Sequence, residues 1–336
     1  MSAADVKIVN PVREDVTMEA TPAIDLPDIS ESSRVVRHAV DDMSGHICAV
    51  LDGGAFDDMP ATLAGEGITC RSLFLEGVPA DFRSAGPWMV DLLAAPTRSY
   101  VEWLDIHHSC AVYWSCPSGP DALYRHLRTL NEVMIPLESD RDGTQGTSEK
   151  QRYERVLFRH WDPNVLGALL PILTKPQFAR FLGPADSVVF NGPDYGGVRR
   201  ARKAINMPDA VIGPLRLEPA QMERLKAAML HSSRLRIARF LKKNRPPHFS
   251  GVDDDFVWGA TLASERTADE LGIRTERGRA RWAYVMVVSD GKAADLPEVR
   301  SFLQEKGTTP DTRVRELIGH TVDALRSSNI LNGAAS

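Results

Sequence analysis

Cys110-Ala-Val-Tyr-Trp-Ser115 is apolar at odd and even positions alike until its last residue. Successive side chains of an extended chain point to opposite faces, so such a strand is buried on both and belongs at the centre of a covered sheet. The neighbouring segments supply the cover. Downstream, Asp121 opens a helix through Leu130 with Leu123, Leu127 and Leu130 on one stripe. Val133–Leu137 follows as a strand, Glu138–Arg152 as a polar surface loop, and Arg155–Trp161 as another strand. Upstream, Ile47–Leu51 is a strand closed by Asp52-Gly53-Gly54, and residues 60–65 form a short helix. Cys70–Phe74 and Pro87–Leu93 are further strands.

Past the strand at 155–161 the local physics is sharpest. Asp162 is a good N-cap, and Pro163 suits a first helical position where its missing N–H costs nothing. Val165, Leu166, Leu169 and Leu170 make the apolar stripe, and Pro171 ends or kinks the helix. Pro176–Leu182 is a second short helix stopped by Gly183-Pro184, and Val188–Phe190 adds a last strand. Residues 191–210, rich in Gly, Pro and basic residues, are expected to link two lobes. Beyond them the pattern is helical: Glu218–Lys243, Phe256–Leu271, Arg279–Val288, Pro297–Lys306 and a last helix from Thr309-Pro310 to about Arg326. The expected architecture is α+β. A leader over 1–34 lacks periodicity and is expected to be disordered; an α/β lobe with a mixed sheet spans 35–190, and an all-helical lobe spans 211–336.

The 336-residue length allows roughly two domains, and 43% hydrophobic with 25% charged residues is an ordinary globular composition. No apolar run reaches the roughly 18 residues of a membrane span, and Met1–Lys7 develops no signal-peptide core. The expectation is a cytoplasmic protein. Cys48, Cys70, Cys110 and Cys116 form no Cys-x-x-Cys pair and are expected to be small buried hydrophobes. A net charge of -5 argues against nucleic acid as the main partner. The distribution is uneven. Residues 199–245 hold 13 Lys/Arg against Asp209, Glu218 and Glu223, whereas 253–270 hold six acids against Arg266. Such blocks suit docking to charged proteins, or simply a pair of solvated helix faces.

Motifs for chemistry are missing. There is no G-x-x-x-x-G-K-[ST], G-x-G-x-x-G after a strand, H-E-x-x-H or G-x-S-x-G. Asp52 ends a strand, where α/β enzymes place carboxylates, but the glycines after it favour a turn. His107, His108 and Cys110 could supply zinc ligands, but adjacent histidines on an extended chain face opposite ways. Asp253-Asp254-Asp255 lacks the ligand and glycine pattern of a calcium loop and fits a helix cap before Phe256. No cofactor, metal or catalytic residue is expected. Arg234, Arg236, Arg239, Lys242 and Lys243 cluster on one helix with only Phe240 to stack on a base, so a protein-docking surface is the best functional reading of that cluster.

Several segments in series resemble the type VI secretion adaptor family, the chaperones that bridge a toxin effector to a VgrG spike. They are Ala49-Val-Leu-Asp-Gly-Gly54, Arg71-Ser-Leu-Phe74 with Gly77, Pro87-Trp88 with Asp91-Leu92, and Ala111–Trp114 leading to Leu123 and His126-Leu127-Arg128. Then come Leu157-Phe-Arg-His-Trp-Asp-Pro163 with Leu169-Leu-Pro171, and Phe178 with Phe181-Leu-Gly-Pro184. The likeness covers roughly residues 46–190. Ile106-His-His-Ser109, where the family is Gly-rich with Trp, and the long loop 138–152 depart from it. The resemblance implies a cytoplasmic, non-catalytic protein that binds an effector and helps load it onto VgrG, without membrane or nucleic acid. It implies family-motif residues Asp52, Phe158, Arg159, Trp161, Asp162 and Pro163 in mainly structural roles. An immunity-type protein that blocks a toxin, or an uncharacterised α/β enzyme, are the competing readings.

Overall fold

A computed structural model describes residues 21–26, 28–137, 152–246, 249 and 251–319. The chain divides into two compact units. Among the described residues, one is formed by Leu26–Met229, the other by residues 21–25 together with those from Leu230 onward. The architecture is α+β, with sheets and helices first and helices alone afterwards.

The first unit is built on a six-stranded sheet. Its strands are β1 (His46–Asp52), β2 (Cys70–Ser72), β3 (Pro87–Asp91), β4 (Ala111–Cys116), β7 (Ser187–Gly192) and β8 (Gly197–Arg202). Their order is β2-β3-β1-β4-β7-β8, and every pair is antiparallel. The register sets Cys48 opposite Trp114 and Val50 opposite Val112, and Trp114 in turn opposite Val188. Strand β4 is therefore central and wholly buried, as its composition requires. Its even residues Val112, Trp114 and Cys116 enter one core with Leu123 and Leu127 of α5 (Pro120–Arg128), Leu166 and Leu169 of α6 (Pro163–Leu169), and Phe181 of α7 (Lys175–Leu182). Its odd residues Ala111 and Tyr113 enter a second core. There they meet Val36 and Val40 of α1 (Ile29–Asp41), Met59 and Leu63 of α2 (Met59–Gly65), and Val101 and Leu104 of α4 (Ala95–His108). Two covered faces, rather than parallel pairing, make the strand apolar throughout.

The parallel element that makes the unit mixed lies in a second, small sheet, β6-β5-β9. Strand β5 (Glu132–Pro136) pairs antiparallel with β6 (Tyr153–Leu157) and parallel with β9 (Leu215–Arg216). Caps set several boundaries. Asp162 accepts the Asn164 N–H with Pro163 next to it, Thr174 and Gln177 close a capping box, and Gly183 ends α7 with φ +55°. The other unit packs the C-terminal half of α8 (Pro219–Asn244) with α9 (Asp254–Glu270) and α10 (Glu276–Val288) around Leu235, Ala238, Trp258 and Ala283. Helix α11 (Pro297–Gln304) and helical residues 310–319 add Leu303 and Val314 to a core around Trp282 and Leu271.

Four expectations need correction. Order does not begin near Val35: α1 starts at Ile29, capped by Asp28, and its apolar stripe is carried by only Val36 and Val40. Residues 1–20 of the expected leader, and most of the loop 138–152, lie outside the described residues. The segment 191–210 is no plain linker, because it contains β8, an integral strand whose Arg199, Arg200 and Arg202 hide its β character. The strand expected over 155–161 stops at Leu157, and Phe158–Asp162 is a turn. Residues 95–108, not foreseen as regular, form α4, so His107 and His108 end a helix instead of alternating along a strand.

Candidate functional site

Asp52 sits where β1 ends, and its carboxylate is the hub of the residues singled out by the family resemblance. One oxygen accepts the Gly54 N–H at 3.1 Å and the Trp161 indole N–H at 3.2 Å; the other takes the Arg159 guanidinium at 2.6 Å. Arg159 also reaches Asp162 at 3.4 Å, and Asp162 caps α6. Segments more than a hundred residues apart thus close one network, which pins the turn 158–162 against the end of the central sheet. Gly53 donates its N–H to the Gly86 carbonyl at 2.9 Å, and a Cβ at Gly53 would stand 2.0 Å from the Ser84 carbonyl oxygen. No side chain fits there.

Phe158 and Trp161 face inward. Phe158 meets the Phe181 ring, and Trp161 makes an edge contact with Phe74. Pro163 is buried at the first turn of α6. His160, fully buried between them, shares a hydrogen bond of 3.1 Å with Asn131 Oδ1, and burial with the nearby His126 drives its pKa down to about 3. Asn131 carried no signal in the sequence, yet it also donates to the Leu73 carbonyl and its own carbonyl accepts the Phe158 N–H. Each of the six motif residues is thus buried or bonded within its own unit.

A second polar cluster was not foreseen at all. Glu102 and Asp105, one turn apart on α4, are both buried. Glu102 receives Arg37 at 3.1 Å and Arg98 at 2.9 Å. Asp105 accepts the Ala111 N–H at 2.9 Å, while burial raises its pKa to about 7. Its function is to tie the end of α4 to the start of β4. The signal was the 3-residue spacing of acids beside Val101 and Leu104, masked by the missed helix itself.

The four cysteines are free; Cys48, Cys110 and Cys116 are buried, and burial lifts the Cys48 thiol to about 12. His107 bonds the Trp103 carbonyl and His108 packs on Phe56. Among the described residues no three His, Cys, Asp or Glu side chains converge as metal ligands. Asp253 accepts the Phe256 N–H at 2.9 Å, the cap expected of the acidic triplet.

The basic cluster of α8 is largely occupied within its own unit. Arg234 pairs with Glu265 at 2.6 Å, Arg236 with Glu276 at 2.6 Å, and Lys242 with Asp25 and Asp254 at 2.7 Å each. Arg239 donates to the Ile24 carbonyl. Lys243 is exposed. Basic residues of α8 thus meet acids of α9 and α10 as ion pairs between helices. Leu75, Phe82, Leu93 and Trp103 are large apolar side chains at least half exposed on the sheet-containing unit, and α3 (Ala80–Ser84), which carries Phe82, buries none of its residues.

The fold is α+β, and the Asp52 network braces the turn 158–162 against the end of its central sheet. Residues 48–180 match the family described as a domain of unknown function, DUF4123, a stretch that runs from β1 into α7 and contains the whole Asp52 network. No curated protein and no solved structure matches the chain. Among the described residues no helix is long and apolar enough to cross a membrane.

Proposed function

We propose that this chain is a non-catalytic adaptor that binds a type VI secretion effector and helps deliver it to the VgrG spike. The observation that carries the reading is the family match over residues 48–180, the stretch in which the adaptor-like motifs occur in order. The geometry supports it. Asp52, the best candidate for a catalytic carboxylate, has both oxygens engaged by Arg159, Trp161 and Gly54. Recognition by such a protein comes from surface shape and charge, and a contact of standard size, about 1,600 Å² in total, needs only part of one unit. The test is co-expression with candidate effector and VgrG chains followed by size-exclusion chromatography. A complex that co-elutes with an effector is expected. Failure of every effector encoded beside it to co-elute, or toxin neutralisation without export, would replace the adaptor reading.

A further inference from the structure

Among the described residues strand β8 ends the six-stranded sheet, and one side of its backbone has no ladder partner there. An open edge of this kind templates another strand unless something blunts it. The other strand ends offer less. β2 is three residues long with its Ser72 carbonyl already taken by the Tyr124 hydroxyl, β9 is two residues long, and β6 carries the mixed charges Glu154 and Arg155. β8 has six residues and a single sign of charge: Arg199, Arg200 and Arg202, with Lys203 following.

These cations are differently committed. Arg200 pairs with Asp42 at 3.4 Å, and the Arg199 Nε donates to the Tyr195 carbonyl. Arg202 is exposed and makes no ion pair among the described residues. Val198, Arg200 and Arg202 share one face of the strand, and Arg200 and Arg202, with Lys203 just past the strand end, line a groove of about 450 Å³ with Asp42, Ser44 and Asp186. Beside it stands Ile205, fully exposed. Pairing of β8 with the same strand of a second copy would set arginines against arginines, which cross-strand electrostatics disfavours. A strand bearing carboxylates at every second residue would meet Arg200 and Arg202 instead, while its main chain satisfies the open edge.

We infer that the β8 edge is a docking site for an extended acidic segment of a partner protein, which adds to the sheet as a seventh strand. The inference rests on the adaptor reading only in taking the partner to be a protein. The probe is a labelled peptide of alternating Glu and Val, titrated by fluorescence anisotropy against the full chain, beside a Lys-Val peptide and a Glu-Val peptide N-methylated at alternate amides. The Glu-Val peptide is expected to bind at least about tenfold more tightly than either control, with an affinity that falls as salt rises. The double variant Arg202→Glu, Lys203→Glu, both side chains exposed, is expected to lose about tenfold while its thermal melt stays that of the parent. Equal binding of the N-methylated peptide, equal binding of the Lys-Val peptide, an unaffected double variant, or no binding at all overturns the edge site. Effector co-purification separates the two ideas. Capture by parent and double variant alike overturns the edge site and leaves the adaptor reading standing; no capture by the parent overturns the adaptor reading, and the peptide titration still decides the edge.

Discussion

Asp52 shows how one carboxylate can resemble a catalytic group in sequence and be a brace in the fold. Its three donors include a buried indole N–H, and an unsatisfied buried donor costs about 1–3 kcal/mol. Asp52→Ala is therefore expected to destabilise the chain by about 2–3 kcal/mol, and Asp52→Asn, which keeps an acceptor but loses the charge facing Arg159, by about 1 kcal/mol. Urea midpoints check this; unchanged midpoints would return Asp52 to the list of functional groups. Two buried groups give opposite pH slopes. His160 titrates near 6.5 when unfolded but near 3 when folded, so its stabilisation is complete above 6.5 and lost as the pH falls toward 3. Asp105 behaves the other way. Its folded pKa of about 7 lies above the ordinary 3.8, so its contribution is complete below 3.8 and lost as the pH rises through 7. Asp105→Asn is expected to flatten the fall in urea midpoint between about pH 4 and 7, and an unaltered profile would refute the assignment. None of this was legible beforehand. The sequence displays the acid and the histidine, but burial and partner distance set their titration.

At the scale of elements, the basic stretch of α8 is explained by what it packs against. Arg234 and Glu265 are both mostly buried, with side-chain exposures of 26% and 16%, and the Glu265 carboxylate receives Arg234 through two nitrogens. Arg234→Glu is expected to cost about 1–3 kcal/mol, and the exchange Arg234→Glu with Glu265→Arg to recover a measurable part of it. A double-mutant cycle with no coupling would show that the pair is incidental and reopen α8 as a docking helix. Loop termini follow the same logic. Gly183 holds φ +55°, and an added Cβ would lie 2.3 Å from the His126 ring, so Gly183→Ala is expected to destabilise by about 2 kcal/mol or more, read as a lowered melting temperature. Helix ends were readable here because capping is local: Asp162-Pro163, Gly183-Pro184 and the Asp253 triplet stand where the sequence placed them. Helix α4 was not. Glu102 and Asp105 lie buried beside Val101 and Leu104 on its inward face, which spoils the usual amphipathic pattern.

For the molecule as a whole, β1, β4 and β7 are paired on both sides and covered on both faces. Their amides are expected to exchange most slowly of all those in residues 26–229, a result that hydrogen-exchange mass spectrometry reads directly; faster exchange there than in α5 or α7 would contradict the packing. The α+β class, a central strand over 110–115 (observed as Ala111–Cys116), the caps of α6 and α9 and the helical character of the C-terminal region were determined by sequence alone, because periodicity, composition and capping act over a few residues. Tertiary structure decided the rest. It made the strand at 197–202 part of the sheet although its arginines disguise it, joined Asp52 to Arg159 and Trp161 across more than a hundred residues, and turned a basic block and an acidic block into ion pairs between helices. Those outcomes depend on which side chains are brought within a few ångströms in three dimensions, and no local pattern carries that distance.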